Sequence, residues 1–260
     1  MSGTVRVSKE NQIGQIVFDH PERRNAITAK MWELIPEAVA ELEADSEVRV
    51  VVMRGAGEVA FVSGADISEF ESNRNGSTAR EYDVRNAHAF SALARIQKPL
   101  IALVHGFCVG GGCAIALTAD LRFSAEDAVF AIPAARLGLG YGADGLEKLV
   151  GVVGLAAAKE IFFTARRFSA EEALGVGLVN RVLPKAELDQ YVAEVAHQIS
   201  QNAPLTLKSA KLALGHISQS KSESGAREIE ASIADCYESE DYEEGVRAFL
   251  EKRPPVFKGR

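Results

Sequence analysis

Gly106-Phe107-Cys108-Val109-Gly110-Gly111-Gly112-Cys113-Ala114 lies between the apolar run Leu100 to Val104 and a second apolar stretch. The pattern predicts a buried strand, a tight glycine turn and a buried helix. Glycines at a strand-to-helix turn let a ligand come close to the backbone and leave N–H groups pointing outward, a geometry suited to an anion or an oxyanion. The same residues also suit a turn that only lets helix and strand pack closely. Pro99 to Ala119 carries no charged residue and has about the length of a bilayer span. Pro99, His105 and the four glycines within it favour the strand, turn and helix instead.

Short β-branched runs recur at Ile13 to Phe18, Val48 to Met53, Leu121 to Ser124 and Val129 to Ile132. Helical stretches separate them, Thr28 to Ala44 with Thr28 as N-cap and Ser77 to Ile96, so the order is that of an α/β protein. Pro36 is expected to kink or break the first of these helices. Beyond Ala128 helices dominate: Val153 to Ala165, a capping box at Ser169-Ala170-Glu171-Glu172, and Lys185 to Asn202. From Pro204 the chain is helical and polar, which divides it into a core over 1–203 and a helical region over 204–260.

The 260 residues are 47% hydrophobic and 25% charged, enough to bury a core and too apolar for a disordered chain. A net charge of −7 opposes broad nucleic-acid binding, so an anionic ligand needs a local cationic patch. Three cysteines, Cys108, Cys113 and Cys236, form neither a disulfide framework nor a zinc ligand set. With no secretory start at Met1 to Val7, a cytoplasmic location is expected, with no membrane partner.

A second candidate turn is Ser63-Gly64-Ala65-Asp66-Ile67-Ser68-Glu69, which interrupts an apolar run. One N–H from this turn and one from the triple glycine can converge on a single oxygen, which stabilises an enolate or a tetrahedral anion. An ordinary turn with Asp66 as a helix cap has the same residue types.

Together the two turns resemble the enoyl-CoA hydratase/isomerase family of the crotonase superfamily. Pro21-Glu22-Arg23-Arg24-Asn25-Ala26, Lys98-Pro99, Ala173-Leu174-Gly175-Val176-Gly177-Leu178-Val179-Asn180 and the final Val256-Phe257-Lys258 also resemble it, in the same order. The resemblance implies a crotonase-like spiral of ββα units with a C-terminal helical trimerisation region, giving a homotrimer or a dimer of trimers. It implies an acyl-CoA thioester substrate, with coenzyme A as part of the substrate and neither a separate cofactor nor a metal. By resemblance Ala65 and Gly111 supply the two oxyanion N–H groups. Gly64, Asp66 and Ile67 lie on the adenine-lining segment, Arg23 and Arg24 flank the CoA, and Phe257 and Lys258 approach the nucleotide of a neighbouring subunit.

Hydratases of this family carry two glutamates where this chain has Ala114 and Ala134. Hydration needs a base for water and an acid for Cα, and alanine is neither. Tyr141 falls where the methylmalonyl-CoA decarboxylase branch places a tyrosine, and Asp144 lies where some isomerases of the family place a carboxylate. Decarboxylation and isomerisation therefore stand beside hydration by other residues, and a non-catalytic acyl-CoA-binding subunit is the remaining alternative. Tyr141 packing over a glycine loop and Asp144 capping a helix account for the same residues without catalysis. Glu69 reads as a solvated charge, His105 as a strand-end histidine bonded to backbone, and Cys108 and Cys113 as buried thiols. Gly140 to Gly145 fits G-x-G-x-x-G, but Pro133 separates it from the preceding strand, which opposes a dinucleotide fingerprint.

Overall fold

The computed structural model describes residues 3–66, 68, 77–218 and 223–260, apart from the side chains of 77–80, 144, 218 and 223–226. Among the described residues, six strands form one sheet: β1 (Thr4–Glu10), β2 (Ile13–Asp19), β3 (Val50–Gly55), β5 (Leu100–Val104), β7 (Leu121–Ala125) and β10 (Arg181–Leu183), hydrogen-bonded in that order. A smaller sheet has the order β4 (Ala60–Val62), β6 (Phe107–Val109), β8 (Val129–Ala131) and β9 (Phe168–Ser169). β1 and β2 form an antiparallel hairpin whose turn residues Asn11 and Gln12 are left-handed, with φ of 49° and 68°. From β2 to β10 the large sheet is parallel.

The chain alternates between the sheets before each return. β3 and β4 precede α2 (Ser77–Arg95), β5 and β6 precede α3 (Gly111–Ala116), and β7 and β8 precede α4 (Ala143–Thr164). This is the expected ββα order. The short β6 was not legible as a strand, because Phe107 to Val109 reads as part of the glycine turn. Gly106, at φ 53°, turns the chain from β5 into it, and a Cβ there would lie 1.9 Å from the Val59 carbonyl oxygen.

The central strands are buried on both faces, which explains their uninterrupted apolar runs. Val51, Met53, Leu100, Ala102 and Val104 face the larger core, with α1 (Ala29–Ala44) among its walls. Val50, Val52, Ile101 and Leu103 face the second core, closed by Leu188, Val192 and Ala196 of α6 (Lys185–Ser200). The capping box predicted at Ser169 forms at the start of α5 (Ala170–Gly175).

One helix expectation is corrected, the break at Pro36. α1 continues through Pro36, because Trp32, Ile35, Val39 and Leu42 anchor its buried face on both sides of the proline, enough to offset a cost of about 3 kcal/mol. The expected helix Val153 to Ala165 forms as the second of two segments of α4, which meet at Gly154, where φ is 74° and ψ is 165°; a first segment from Ala143 precedes it. Helices α7 (Pro204–Ser218), α8 (Glu223–Tyr237) and α9 (Glu240–Glu251) follow. The Lys211 ammonium ties α7 to Asp120 at 2.7 Å and to the Lys98 carbonyl at 2.9 Å. None of the described helices is long and apolar enough to cross a membrane.

Candidate functional site

Gly110 has φ 54° and ψ −114°, a conformation that disfavours any residue with a Cβ. Its N–H donates to the Ala131 carbonyl at 2.8 Å, which fixes the turn against β8 and makes Gly111 the first residue of α3. The Gly111 N–H therefore has no acceptor within its helix. The other turn is fixed through Ile27, whose N–H donates to Gly64 O at 2.8 Å and whose carbonyl accepts from Asp66 N at 2.9 Å. These bonds flank Ala65 and leave its own N–H outside the bridge. A Cβ built on Gly111 would lie 3.7 Å from the Ala65 nitrogen and 3.6 Å from the Trp32 ring. The two turns thus meet at Ala65 and Gly111, with the buried Trp32 beside them.

Trp32 was not singled out by the sequence, since a tryptophan at helical spacing reads as core. Its indole N–H donates to the Tyr82 hydroxyl at 3.1 Å, and its ring lies 5.2 Å from that of Phe90. α1 and α2 are thereby locked behind the glycine turn.

Arg23 and Arg24 belong to the same cluster, because Ser63 N donates to Arg24 O and Ser63 Oγ to Arg23 O, both at 3.1 Å. The Arg24 guanidinium lies 4.6 Å from the centre of the Phe107 ring, and both arginines are exposed. Asp66 Oδ1 accepts from the Ser68 N–H and hydroxyl. Burial pushes the Asp66 carboxyl up, but Ser68 and the charges of Arg23 and His20 outweigh it and hold the group below its usual range. Ile67 and Glu69 lie outside the described residues.

Ala114 sits on α3, and the buried Ala134 lies in the 3-10 turn Pro133–Leu137. That turn, rather than a strand, leads into Gly140 to Gly145, so the dinucleotide fingerprint lacks its strand. Tyr141 packs edge-on against Phe162 with ring centres 5.3 Å apart. Burial, helped by the nearby Cys113, pushes its hydroxyl from 10.0 up to about 12. The group is therefore a neutral hydrogen-bond donor at physiological pH. A raised folded-state pKa gives stability that is full below 10.0 and lost as pH rises through about 12. In alkaline unfolding titrations, Tyr141→Phe is expected to lose less stability than the wild type across that window; equal losses would contradict the assignment. Asp144 lies on the first turn of α4, and its side chain is outside the described residues.

Phe257 and Lys258 have a different set of partners. The Phe257 carbonyl accepts from Arg49 at 2.6 Å, Lys258 N donates to Asp241 at 2.6 Å, and the Lys258 ammonium meets Glu240 at 3.3 Å. None of these partners belongs to the Ala65–Gly111 cluster. His105 is bonded to a carboxylate and not to backbone: Nε2 lies 2.7 Å from Asp189 Oδ2, because α6 lays Asp189 over the end of β5, where Arg54 also reaches it. Cys113 donates to the Cys108 carbonyl at 2.8 Å, and burial holds the Cys108 thiol well above its ordinary pKa, which opposes a nucleophilic role for Cys108.

The family model described as enoyl-CoA hydratase/isomerase matches residues 8–260. The short-chain-enoyl-CoA hydratase of Clostridium acetobutylicum is 35% identical over 249 residues, covering 96% of this chain and 95% of that protein. The carnitinyl-CoA dehydratase of Salmonella typhi is 36% identical over 271 residues, covering 100% of each. A crystal structure of an enoyl-CoA hydratase/carnithine racemase from Magnetospirillum magneticum superposes with a TM-score of 0.92 at 34% identity, covering 100% of this chain and 97% of that one.

Proposed function

The chain belongs to the enoyl-CoA hydratase/isomerase family, and from that premise we propose that it binds an acyl-CoA thioester and stabilises its enolate or oxyanion with the N–H groups of Ala65 and Gly111. The observation that carries the reading is their juxtaposition, with the Ala65 nitrogen 3.7 Å from the position of a Gly111 Cβ. Two fixed donors aimed at one oxygen favour whichever state places most negative charge there. Arg23 and Arg24, with Gly64, Asp66 and Ile67, form the CoA-binding segment, and Phe257 and Lys258 reach the nucleotide from a neighbouring copy. A trimer or dimer of trimers would draw on exposed apolar side chains such as Phe163, Leu214, Ile217, Phe249 and Leu250.

Ala114 and Ala134 stand where the family's hydratases carry glutamates, so decarboxylation of a malonyl-type thioester asks least of these residues. The C–C bond to the carboxylate breaks, CO2 leaves, and the electron pair becomes the enolate held by the two N–H groups. Tyr141, neutral at physiological pH, orients the acyl group and delivers a proton to Cα, then recovers one from solvent; Asp144 is the alternative donor. Hydration by other groups is the second reading, favoured by the relatives named hydratase and dehydratase.

Two assays separate these readings. Purified protein is expected to release CO2 from malonyl- or methylmalonyl-CoA and to leave the conjugated absorbance of crotonyl-CoA unchanged. Loss of that absorbance with formation of the 3-hydroxyacyl product assigns hydration. Binding of these thioesters without turnover of either, or of an isomerisable enoyl-CoA, assigns a non-catalytic subunit.

A further inference from the structure

We propose that Asn25 is a positioning residue that sets where the Ala65 N–H points, a role that rests on the reading of Ala65 as a donor to the thioester oxygen. Asn25 is 1% exposed and left-handed, with φ 56°, directly after Arg24 at φ 52°. Two consecutive non-glycine residues in that region are unfavourable unless the surroundings impose them. Here the side chain does so. Its Nδ2 donates to Ala60 O at 2.7 Å and to Ala56 O at 3.1 Å, and its Oδ1 accepts from His20 N at 3.0 Å. A single amide thus joins the turn over 20–27 to the segment that leads through β4 into Gly64.

Further links run from the same turn to Ser63, Gly64 and Asp66, on either side of Ala65. Ser63 bonds the carbonyls of Arg23 and Arg24, while Ile27 donates to Gly64 O and accepts from Asp66 N. His20 Nδ1 lies 3.0 Å from the Ala26 carbonyl and braces the turn from its other side. The fit at Asn25 leaves no slack, since a Cβ on Gly55 would lie 2.5 Å from Asn25 Nδ2 and 2.0 Å from the Ala60 carbonyl oxygen. Loosening the amide therefore frees the frame that holds one of the two donors, without touching Gly111.

Asn25→Gly keeps the left-handed backbone and removes all three side-chain bonds. Misplacing one donor weakens the charged state more than it weakens ground-state binding, so kcat is expected to fall about thirtyfold with KM within about threefold. A readout independent of turnover is the absorbance of bound cinnamoyl-CoA, which moves to longer wavelength when its carbonyl is polarised. Wild type is expected to show the shift, and Asn25→Gly to bind with a much reduced one. A full shift in folded Asn25→Gly, or a folded variant that no longer binds, would overturn the positioning role. No shift in the wild type would overturn the Ala65 reading itself, and this role with it. Should Asn25→Gly not fold, Asn25→Asp, which is isosteric and keeps an acceptor for His20 N but lacks the Nδ2 donor to Ala56 O and Ala60 O, is expected to reduce the shift in the same direction, and an unchanged shift would overturn the proposal.

Discussion

Gly112→Ala is expected to destabilise the protein by at least about 3 kcal/mol, more than ordinary overpacking and a large part of a typical domain's stability. The Cβ would lie 2.1 Å from the Val62 carbonyl oxygen and 2.9 Å from its carbon, and both are backbone atoms of β4 that no rotamer change can move. Relief requires α3 and β4 to separate, which opens the core around Phe61, Val62 and Cys113. The adjacent position provides the contrast. A methyl on Gly111 meets Trp32 at 3.6 Å, ordinary van der Waals contact, so Gly111→Ala should leave stability within about 1 kcal/mol of wild type. Urea unfolding of both variants checks the pair, and a Gly112→Ala protein as stable as wild type would contradict the close approach of helix and strand.

Gly111→Pro should have the larger effect on activity. It removes one N–H while preserving the backbone direction, because proline is well tolerated at the first position of a helix. Loss of one such donor typically costs about 100- to 1,000-fold in kcat. Steady-state kinetics on whichever thioester the protein turns over, with folding checked by circular dichroism, measures it. Retained full activity would remove Gly111 from the site. Gly111→Ala keeps both donors but places its methyl 3.7 Å from the Ala65 nitrogen, where it crowds the oxygen, and an intermediate loss is expected.

The sequence carried the fold unevenly. Leu100 to Val104 was legible to the residue as β5, because a strand buried on both faces leaves an unbroken apolar run between breakers. β6, β9 and β10 were not, since strands of two or three residues are specified by neighbours distant in sequence. Pro36 marked a break that tertiary burial overrides, and the start of α4 was legible only as the helix that Asp144 would cap.

The site was legible at its glycines and hidden at its supports. Gly64 and Gly110 have φ of 115° and 54°, so local sequence announced both turns. That Ala65 and Gly111 meet is a consequence of β4 lying beside β6, which no local pattern contains. Trp32 and the amide of Asn25 support the two turns through contacts and hydrogen bonds made far along the chain. Such residues look like core or loop until their partners are known.

The central claim is that the Ala65 and Gly111 N–H groups hold the thioester oxygen, and the carbonyl stretch of a bound acyl-CoA tests it most directly. Isotope-edited infrared spectra of butyryl-CoA labelled with carbon-13 at the thioester carbonyl should show the band at lower frequency in the wild-type complex than in solution, because two donors weaken the C=O bond. Most of that displacement should vanish in Gly111→Pro with ligand still bound. A band at its solution frequency in the wild-type complex would contradict the account.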